Sequence, residues 1–334
     1  QIDKYLHVMG YGEFVQEPTV KLCELLSKNL PKSLSNTYLT NSGTEAVESA
    51  MKLAKRITGR TKIIAAKNGY HGNTQGAMSI MGFEDRKRAY RPLLPDIDFI
   101  EFNNDNNIKK IDKKTAAVVL ETIQGGAGFI TPINNYLRKI KEKCEKVNAL
   151  LILDEIQTGI GRTGKLFAFE HYNAIPDILV YGKGLGGGFP IGALSSSKEK
   201  MGLFKKNPIL GHITTFGGHP VIASAALANL KETLKSGIMK KIKKKENTIR
   251  KLLQHDLIEE IRGKGLMLAL IMKNKKIAQE LVIRCLGNGL ILFWLLFESK
   301  AVRITPSLTI SKKEIKLGCK VIIDTLNEIN NNVD

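Results

Sequence analysis

The sequence predicts an α/β protein with a mostly parallel central sheet, followed by a smaller α+β domain. Three apolar segments each end in polar residues, namely AAVVLET (116–122), LLILDE (150–155) and DILVYGK (177–183). A helical pattern over 136–147 joins the first two. Continuous apolar runs joined by helices are typical of strands buried on both faces of a parallel sheet. Chemistry in such a fold is expected at the carboxyl ends of the strands.

A helix is predicted to begin near Thr44, before these strands. In SGTEAVESAMKLAKRI, Ser42 and Glu45 have the spacing of a capping box, and apolar residues then recur on one helical face. Gly43 stands at the mouth of this helix, where backbone amides and the helix dipole favour an anion. Any capped helix has this form, so the pattern alone is weak evidence for a site.

The remaining segments predict a second domain. After Pro220, VIASAALANLKETLK predicts a helix, and from about Leu257 short strands and helices follow. We therefore expect a large domain over residues 1–235 and a small one over 236–334. The apolar run LILFWLLF (290–297) is far shorter than the roughly 20 residues of a membrane helix and predicts a buried strand or two.

Length and composition indicate a soluble globular protein of two domains: 334 residues, 43% hydrophobic and 25% charged. The chain begins with Gln1 and shows no signal peptide, and we expect that its N-terminal segment is incomplete. Four cysteines without a CxxC pair indicate neither a zinc site nor a disulfide framework, so no metal is expected. A cytoplasmic location is the default for such a chain.

The net charge of +19 raises the question of nucleic-acid binding. Only 11 of the 51 basic residues are arginines, whereas base recognition depends strongly on Arg. The lysines are also spread along the chain. This pattern favours solvated lysine-rich faces over a specific nucleic-acid site, although such a surface still attracts polyanions.

The loop GKGLGGG (182–188) has three possible interpretations. A phosphate loop needs its Lys after the glycines and a Ser or Thr next to it, and Lys183 meets neither condition. A dinucleotide fingerprint G-x-G-x-x-G is matched literally, but Pro190 and Gly192 follow where a helix is required. The third interpretation is that Lys183 is itself reactive, with glycines giving a flat cofactor access to the backbone.

The preceding strand supports the third interpretation. Asp154 ends one buried strand and Lys183 follows the next. A pyridoxal 5'-phosphate enzyme needs such a pair, because the acid keeps the pyridine nitrogen protonated while the lysine holds the aldehyde and moves a proton.

The stretch LLILDEIQTGIGRTGKLFAFEHYNAIPDILVYGKGLGGGFPIGA resembles the class III aminotransferases. This subgroup of the fold-type I pyridoxal-phosphate enzymes includes the acetylornithine and ornithine aminotransferases. The motif Asp-Glu-x-Gln-Thr-Gly-x-Gly-Arg-Thr-Gly is present, with the lysine 29 residues past its Asp. The resemblance covers nearly the whole chain and implies pyridoxal 5'-phosphate as the cofactor.

The resemblance also implies individual roles. Residues expected at the cofactor, besides Asp154 and Lys183, are Gly43 and Thr44 at its phosphate, Tyr70 on the ring face, His71 beside it, Gln157 at the ring hydroxyl and Glu121 in support. Arg303, in VRITPSL, matches the arginine that binds a substrate carboxylate. Thr215 matches a residue that reaches the phosphate in the neighbouring subunit, which implies a homodimer.

Two positions depart from the family pattern, and both concern the substrate. Asn73 stands where an arginine helps to hold the amino-acid substrate, and Gly126 stands where a glutamate pairs with the carboxylate-binding arginine. We therefore expect an aminotransferase that moves an amino group from an ω-amino acid to 2-oxoglutarate. N-acetylornithine is the first candidate, ahead of ornithine or succinylornithine, and implies a role in arginine biosynthesis. An amine:pyruvate transaminase, an aminomutase and an idle basic binding protein are the alternatives.

Overall fold

A seven-stranded sheet lies at the centre of the first two thirds of the chain. The computed structural model describes residues 1–8, 14–235 and 237–331. The strands follow the order β1-β7-β6-β5-β4-β2-β3. Strands β2 to β6 are mutually parallel, and β7 is antiparallel to both of its neighbours. Their bounds are β1 Asn36–Thr40, β2 Lys62–Ala66, β3 Ile97–Ile100, β4 Thr115–Glu121, β5 Leu150–Asp154, β6 Ile178–Gly182 and β7 Gly192–Ser196.

The three predicted strands are confirmed as β4, β5 and β6, which are neighbours in the sheet. Every residue in them is buried, as expected for strands covered on both faces. The helices of this part are α1 Ile2–Tyr5, α2 Glu17–Lys28, α3 Gly43–Thr58, α4 Gln75–Ser79, α5 Tyr136–Val147, α6 Lys198–Gly202 and α7 Pro220–Lys235. The expected mostly parallel α/β architecture is therefore present.

Helix α3 begins where the sequence predicts, but its cap differs in one half. The Ser42 hydroxyl accepts the Glu45 N–H at 3.3 Å, as in a capping box. The Glu45 carboxylate, however, accepts the N–H of Asn41 at 2.8 Å instead of that of Ser42. The Glu45 side chain thus binds the residue that precedes the cap. The first-turn amides of Gly43 and Thr44 have no acceptor inside the helix, as at any helix N-terminus.

A second, four-stranded sheet with the order β10-β11-β9-β8 occupies the last third of the chain. Its strands are β8 Ile258–Lys264, β9 Met267–Met272, β10 Phe293–Trp294 and β11 Ala301–Ile304, and its helices are α8 Ile238–Leu252, α9 Lys275–Gly287 and α10 Lys312–Asn331. The buried apolar residues of α8, α9 and α10 form one hydrophobic cluster with this sheet. That the two parts divide as independent domains at residues 235 and 236 stays a prediction.

The prediction of one or two buried strands over residues 290–297 is wrong. Only Phe293–Trp294 forms a strand, at the edge of the second sheet, and both side chains are exposed. Ile291 is 81% exposed. A sequence of apolar residues does not distinguish a core strand from a segment that lines a cavity, and this segment does the latter. None of the helices in the described part of the chain is long and apolar enough to cross a membrane.

Candidate active site

A cavity of about 1060 Å³ opens between the carboxyl edge of the first sheet and the second sheet. Ten of the residues singled out from the sequence line it: Gly43, Thr44, Tyr70, His71, Asn73, Glu121, Asp154, Gln157, Lys183 and Arg303. Among the described residues no cluster of His, Cys, Asp and Glu side chains is arranged to hold a metal ion. The fold thus gathers residues that are up to 260 positions apart into one site.

The sheet register brings the acidic residues together. Glu121 ends β4 and pairs in register with Asp154 at the end of β5. Asp154 in turn pairs with Val180 of β6, the strand that leads into Lys183. Because these strands are parallel, their carboxyl ends meet at one edge of the sheet, which is where open α/β sheets bind their ligands.

Asp154 is held by two hydrogen bonds at the cavity floor. Its Oδ1 accepts the N–H of Ile156 at 2.9 Å, and its Oδ2 lies 2.8 Å from Nδ1 of His71. His71 is fully buried; burial lowers its pKa, but the hydrogen bond and charge of Asp154 outweigh this, and the net effect is a raised pKa. A protonated His71 would place a positive charge directly beside the Asp154 carboxylate.

Glu121 orders the backbone around the site. Its Oε1 accepts the N–H of Tyr70 at 3.0 Å, and its Oε2 accepts that of Gly125 at 2.8 Å. Burial raises the pKa of this carboxyl to about 7. The structure therefore favours a supporting role, in which Glu121 fixes the loop that carries the Tyr70 ring.

Lys183 follows directly after β6 and enters the cavity as an exposed side chain. Its backbone φ is +39°, a region that L-residues with side chains seldom adopt. Within residues 1–8, 14–235 and 237–331 its amine forms no ion pair. A strained backbone at a cavity-facing amine is a frequent mark of a functional position.

The glycine-rich loop does not lead into the long helix that a dinucleotide site needs. Only a four-residue 3₁₀ turn, Lys183–Gly186, follows β6. Asn229 of α7 donates from Nδ2 to the carbonyl oxygens of Gly184 and Leu185, at 2.6 and 3.2 Å. The sequence reasoning missed Asn229, because a single Asn inside a helical segment gives no local signal of its long-range contact.

The N-terminus of α3 offers the cavity an anion site. Gly43 and Thr44 line the cavity at the start of this 16-residue helix. The backbone of Gly192 packs closely against Ser42, the residue that precedes α3. A Cβ on residue 192 would lie 2.0 Å from the backbone oxygen of Ser42. This close packing fixes the start of α3 against β7, and the helix dipole there favours a phosphate.

Gln157 and Gly125 also meet at the cavity wall. The Oε1 atom of Gln157 lies 2.5 Å from the place that a Cβ on Gly125 would take. A side chain on residue 125 would therefore displace the Gln157 amide from this position. Asn73 is exposed and lines the cavity, so its side chain is available to a substrate.

Two arginines line the cavity on the side of the second sheet. The guanidinium of Arg303 lies 5.1 Å from the ring centre of Phe293, and burial lowers its pKa. No acidic partner pairs with it among the described residues. Arg162 lies in the Gly-Arg-Thr-Gly part of the sequence motif, which by itself indicates no role for it. It donates to the carbonyl oxygens of Leu266 and Pro306 and so joins the two parts of the chain.

Thr215 is the one predicted site residue outside the cavity. It is exposed, in the loop that precedes α7. A residue that serves a neighbouring subunit would be placed in this way, and its role stays a prediction.

The residues of the cavity fit pyridoxal 5'-phosphate. Amides at a helix N-terminus suit its phosphate, a carboxylate suits its ring nitrogen, and a free amine suits its aldehyde. Gly43, Asp154 and Lys183 supply these groups within the single cavity. Tyr70 adds an aromatic ring to the same lining.

Comparison with known proteins identifies the family. The family model for aminotransferase class-III matches residues 1–326. The chain is similar to an acetylornithine aminotransferase of Methanopyrus kandleri, at 34% identity over 98% of this chain and 83% of the relative. It is also similar to a [LysW]-aminoadipate semialdehyde/glutamate semialdehyde transaminase of Sulfolobus acidocaldarius, at 36% identity over 93% of this chain and 80% of that one.

Two further similarities widen the range of substrates among its relatives. A putrescine aminotransferase of Pectobacterium atrosepticum is 38% identical over 94% of this chain and 72% of its own. The solved structure of ornithine aminotransferase from Toxoplasma gondii superimposes with a TM-score of 0.90 at 28% identity, covering 97% of this chain and 79% of that one.

Proposed function

The chain belongs to the class III aminotransferases, a family of pyridoxal-phosphate-dependent transaminases, and we propose that its amino donor is an ω-amino acid and its acceptor 2-oxoglutarate. N-acetylornithine is the proposed donor, with ornithine and succinylornithine next. The relatives named for acetylornithine and for ω-semialdehydes support this choice, because a semialdehyde is the product left when an ω-amino acid loses its terminal amine.

One observation carries the proposal: Asp154, Lys183, the first amides of α3 and Arg303 line one cavity. The first three serve the cofactor, and Arg303 is left to serve a substrate carboxylate. Guanidinium groups bind carboxylates in a two-pronged arrangement, and Arg303 has no competing acidic partner among the described residues.

Each residue assigned to the site has a defined task in this proposal. When bound, pyridoxal 5'-phosphate supplies an aldehyde for the amino group and a ring that withdraws electrons. Asp154, backed by His71, holds a proton at the ring nitrogen. Nζ of Lys183 would act as the general base and acid, removing a proton from the donor carbon that carries the amine and later returning it. Gly43 and Thr44 would hold the phosphate, Tyr70 would cover the ring and Gln157 would face the ring hydroxyl.

A second candidate keeps the cofactor but changes the substrates, to an amine with pyruvate as acceptor or to an aminomutase. The departures at Asn73 and Gly126 and the similarity to a putrescine aminotransferase favour keeping this candidate. A third candidate, an idle basic binding protein, would bind polyanions in a salt-sensitive way and show no reaction with any amine.

We further propose a homodimer in which Thr215 completes the phosphate site of the partner subunit. The exposed position of Thr215 outside its own cavity supports this. We also propose that the protein is located in the cytoplasm.

The test combines a spectrum with a substrate scan. Adding pyridoxal phosphate to the purified protein is expected to give an absorbance band that borohydride fixes onto Lys183. The same yellow band in Lys183→Ala without added amine would contradict the assignment. Donors are then scanned against 2-oxoglutarate and pyruvate, and a clear preference for pyruvate would favour the second candidate.

A further inference from the structure

Residues 293–297 (FWLLF), here called the FWLLF wall, close the cavity on the side of the second sheet. Trp294, Leu295 and Leu296 line the main cavity on one face of this segment. On the other face the same three residues line a second cavity of about 420 Å³, together with Phe83 and Phe297. The FWLLF wall is therefore a single chain segment that separates two cavities. Its position depends on how its C-terminal end, at Phe297, is anchored.

Phe297 supplies that anchor. Its ring stacks on Phe83 with the ring centres 4.8 Å apart and the planes at 21°. Its N–H donates to the carbonyl oxygen of Gly126 at 2.9 Å. A Cβ on residue 126 would lie only 2.7 Å from the Phe297 ring, so this seat exists only because residue 126 is glycine.

The anchored wall gives this side of the cavity an apolar surface. Three carboxyl groups line the cavity elsewhere, on Glu121, Asp154 and Glu232. Glu121 accepts two backbone N–H groups and Asp154 pairs with His71, so both are occupied. Glu232 lies on α7, the helix that holds the loop after Lys183.

Leu295 and Leu296 would remove water from a donor's second free ammonium group, and neither side chain offers that group a carboxylate partner. Leaving a charged group unpaired next to apolar side chains is strongly unfavourable. A carboxylate or an acylated amine at the far end of the donor carries no such penalty, since Arg303 is available for the carboxylate.

We propose, on the basis of the transaminase function proposed above, that Phe297 is a specificity-determining residue. Seated on Gly126 and Phe83, it holds Leu295 and Leu296 against the cavity. The site therefore selects donors whose second amine is absent or acylated over donors that carry a second free ammonium group.

The first experiment measures kcat/KM for N-acetylornithine and for putrescine, by the absorbance change of the holoenzyme in single half-reactions. We expect the wild-type protein to prefer N-acetylornithine, and Phe297→Ala to reduce this preference by about tenfold or more, chiefly through KM. Phe297→Leu keeps an apolar side chain on Gly126 and is expected to retain most of the preference. Equal preference in wild type and Phe297→Ala would overturn the proposal.

The second experiment changes charge at the exposed Leu296, which avoids a loss of folding. Leu296→Glu places a carboxylate on the FWLLF wall and is expected to raise putrescine turnover, whereas the matched Leu296→Gln is not. Equal gains in both variants would contradict the proposal, because the effect would then not depend on charge.

Two further outcomes separate this proposal from the proposed function. A wild-type preference for putrescine would overturn the role of the FWLLF wall while leaving the enzyme a transaminase. The role of the FWLLF wall would also be overturned if Glu232→Gln lowered the turnover of putrescine more than that of N-acetylornithine. That result would mean that Glu232 on α7 binds the second ammonium group of the donor. No spectral change with any amine would contradict the proposed function itself, and this proposal with it.

Discussion

Nδ1 of His71 lies 2.8 Å from Oδ2 of Asp154, and both side chains are almost fully buried. Among the described residues, the Asp154 carboxylate has one other hydrogen-bond partner, the N–H of Ile156. The imidazole is thus the one side chain that orients this carboxylate at the cavity floor.

Replacing His71 by Asn should weaken the cofactor site without emptying it. We expect a 10- to 100-fold loss in kcat/KM and weaker binding of pyridoxal phosphate, the usual scale for a residue that acts through a ligand. Titration of the apoprotein by absorbance, together with a pH–rate profile, would check this. An unchanged profile would mean that His71 only packs.

The pH dependence of this pair has a definite sign. Folding raises the pKa of His71 above its ordinary value of 6.5. Its pairing with Asp154 therefore stabilises the fold fully below pH 6.5, and that contribution is lost as the pH rises through the raised value. The difference in the free energy of unfolding between wild type and His71→Asn, measured by urea unfolding at several pH values, should decrease over that range.

The contribution of Glu155 to stability should depend on pH in the opposite direction to that of an ordinary ion-paired acid. Burial raises its pKa to about 7 from 4.5, although Thr122, Ala168 and Phe169 all donate to it. Between these values the folded state binds the proton more tightly, so stability falls as the pH rises from about 4.5 to about 7. Glu155→Gln should flatten this slope and, since its amide N–H₂ faces a donor, lower the stability by roughly 1–3 kcal/mol.

The backbone conformation at Lys183 should lower the stability of the protein. Its φ of +39° suits glycine better than any residue with a side chain. Lys183→Gly is expected to be more stable than Lys183→Ala by about 1 kcal/mol, although both lose the amine. Thermal unfolding of the two apoproteins would test this, and equal stabilities would show that the loop relaxes.

Gly192 should tolerate no side chain. A Cβ there would meet the backbone oxygen of Ser42 at 2.0 Å, next to the start of α3. Gly192→Ala is expected to lose about 3 kcal/mol of stability and to bind pyridoxal phosphate more weakly. Gly287→Ala is the matched control, since nothing lies within 4 Å of its Cβ position and alanine favours its helix.

Arg303 should bind the carboxylate of the acceptor as well as that of the donor. Arg303→Lys keeps the charge but loses the two-pronged geometry, and we expect the KM for 2-oxoglutarate to rise about 10- to 100-fold. Half-reactions measured separately would show the effect on the acceptor. Arg284→Lys, on α9 and outside the cavity, serves as the control.

The sequence alone determined the central strands and the acid and amine that follow them. Apolar runs such as 150–155 and the polar residues at their ends are local features, and the parallel sheet brings such ends to one edge without further information. For this reason Asp154, Lys183 and the N-terminus of α3 could be named before any contact was known.

Only the tertiary structure decided what holds and shapes the site. Asn229 secures the loop 45 residues before it, and Phe297 rests on a glycine 171 residues away. No periodicity encodes such contacts. The prediction of buried strands over 290–297 is wrong for the same reason. Apolar side chains that line a cavity have the same sequence pattern as those in a core, and only packing separates the two.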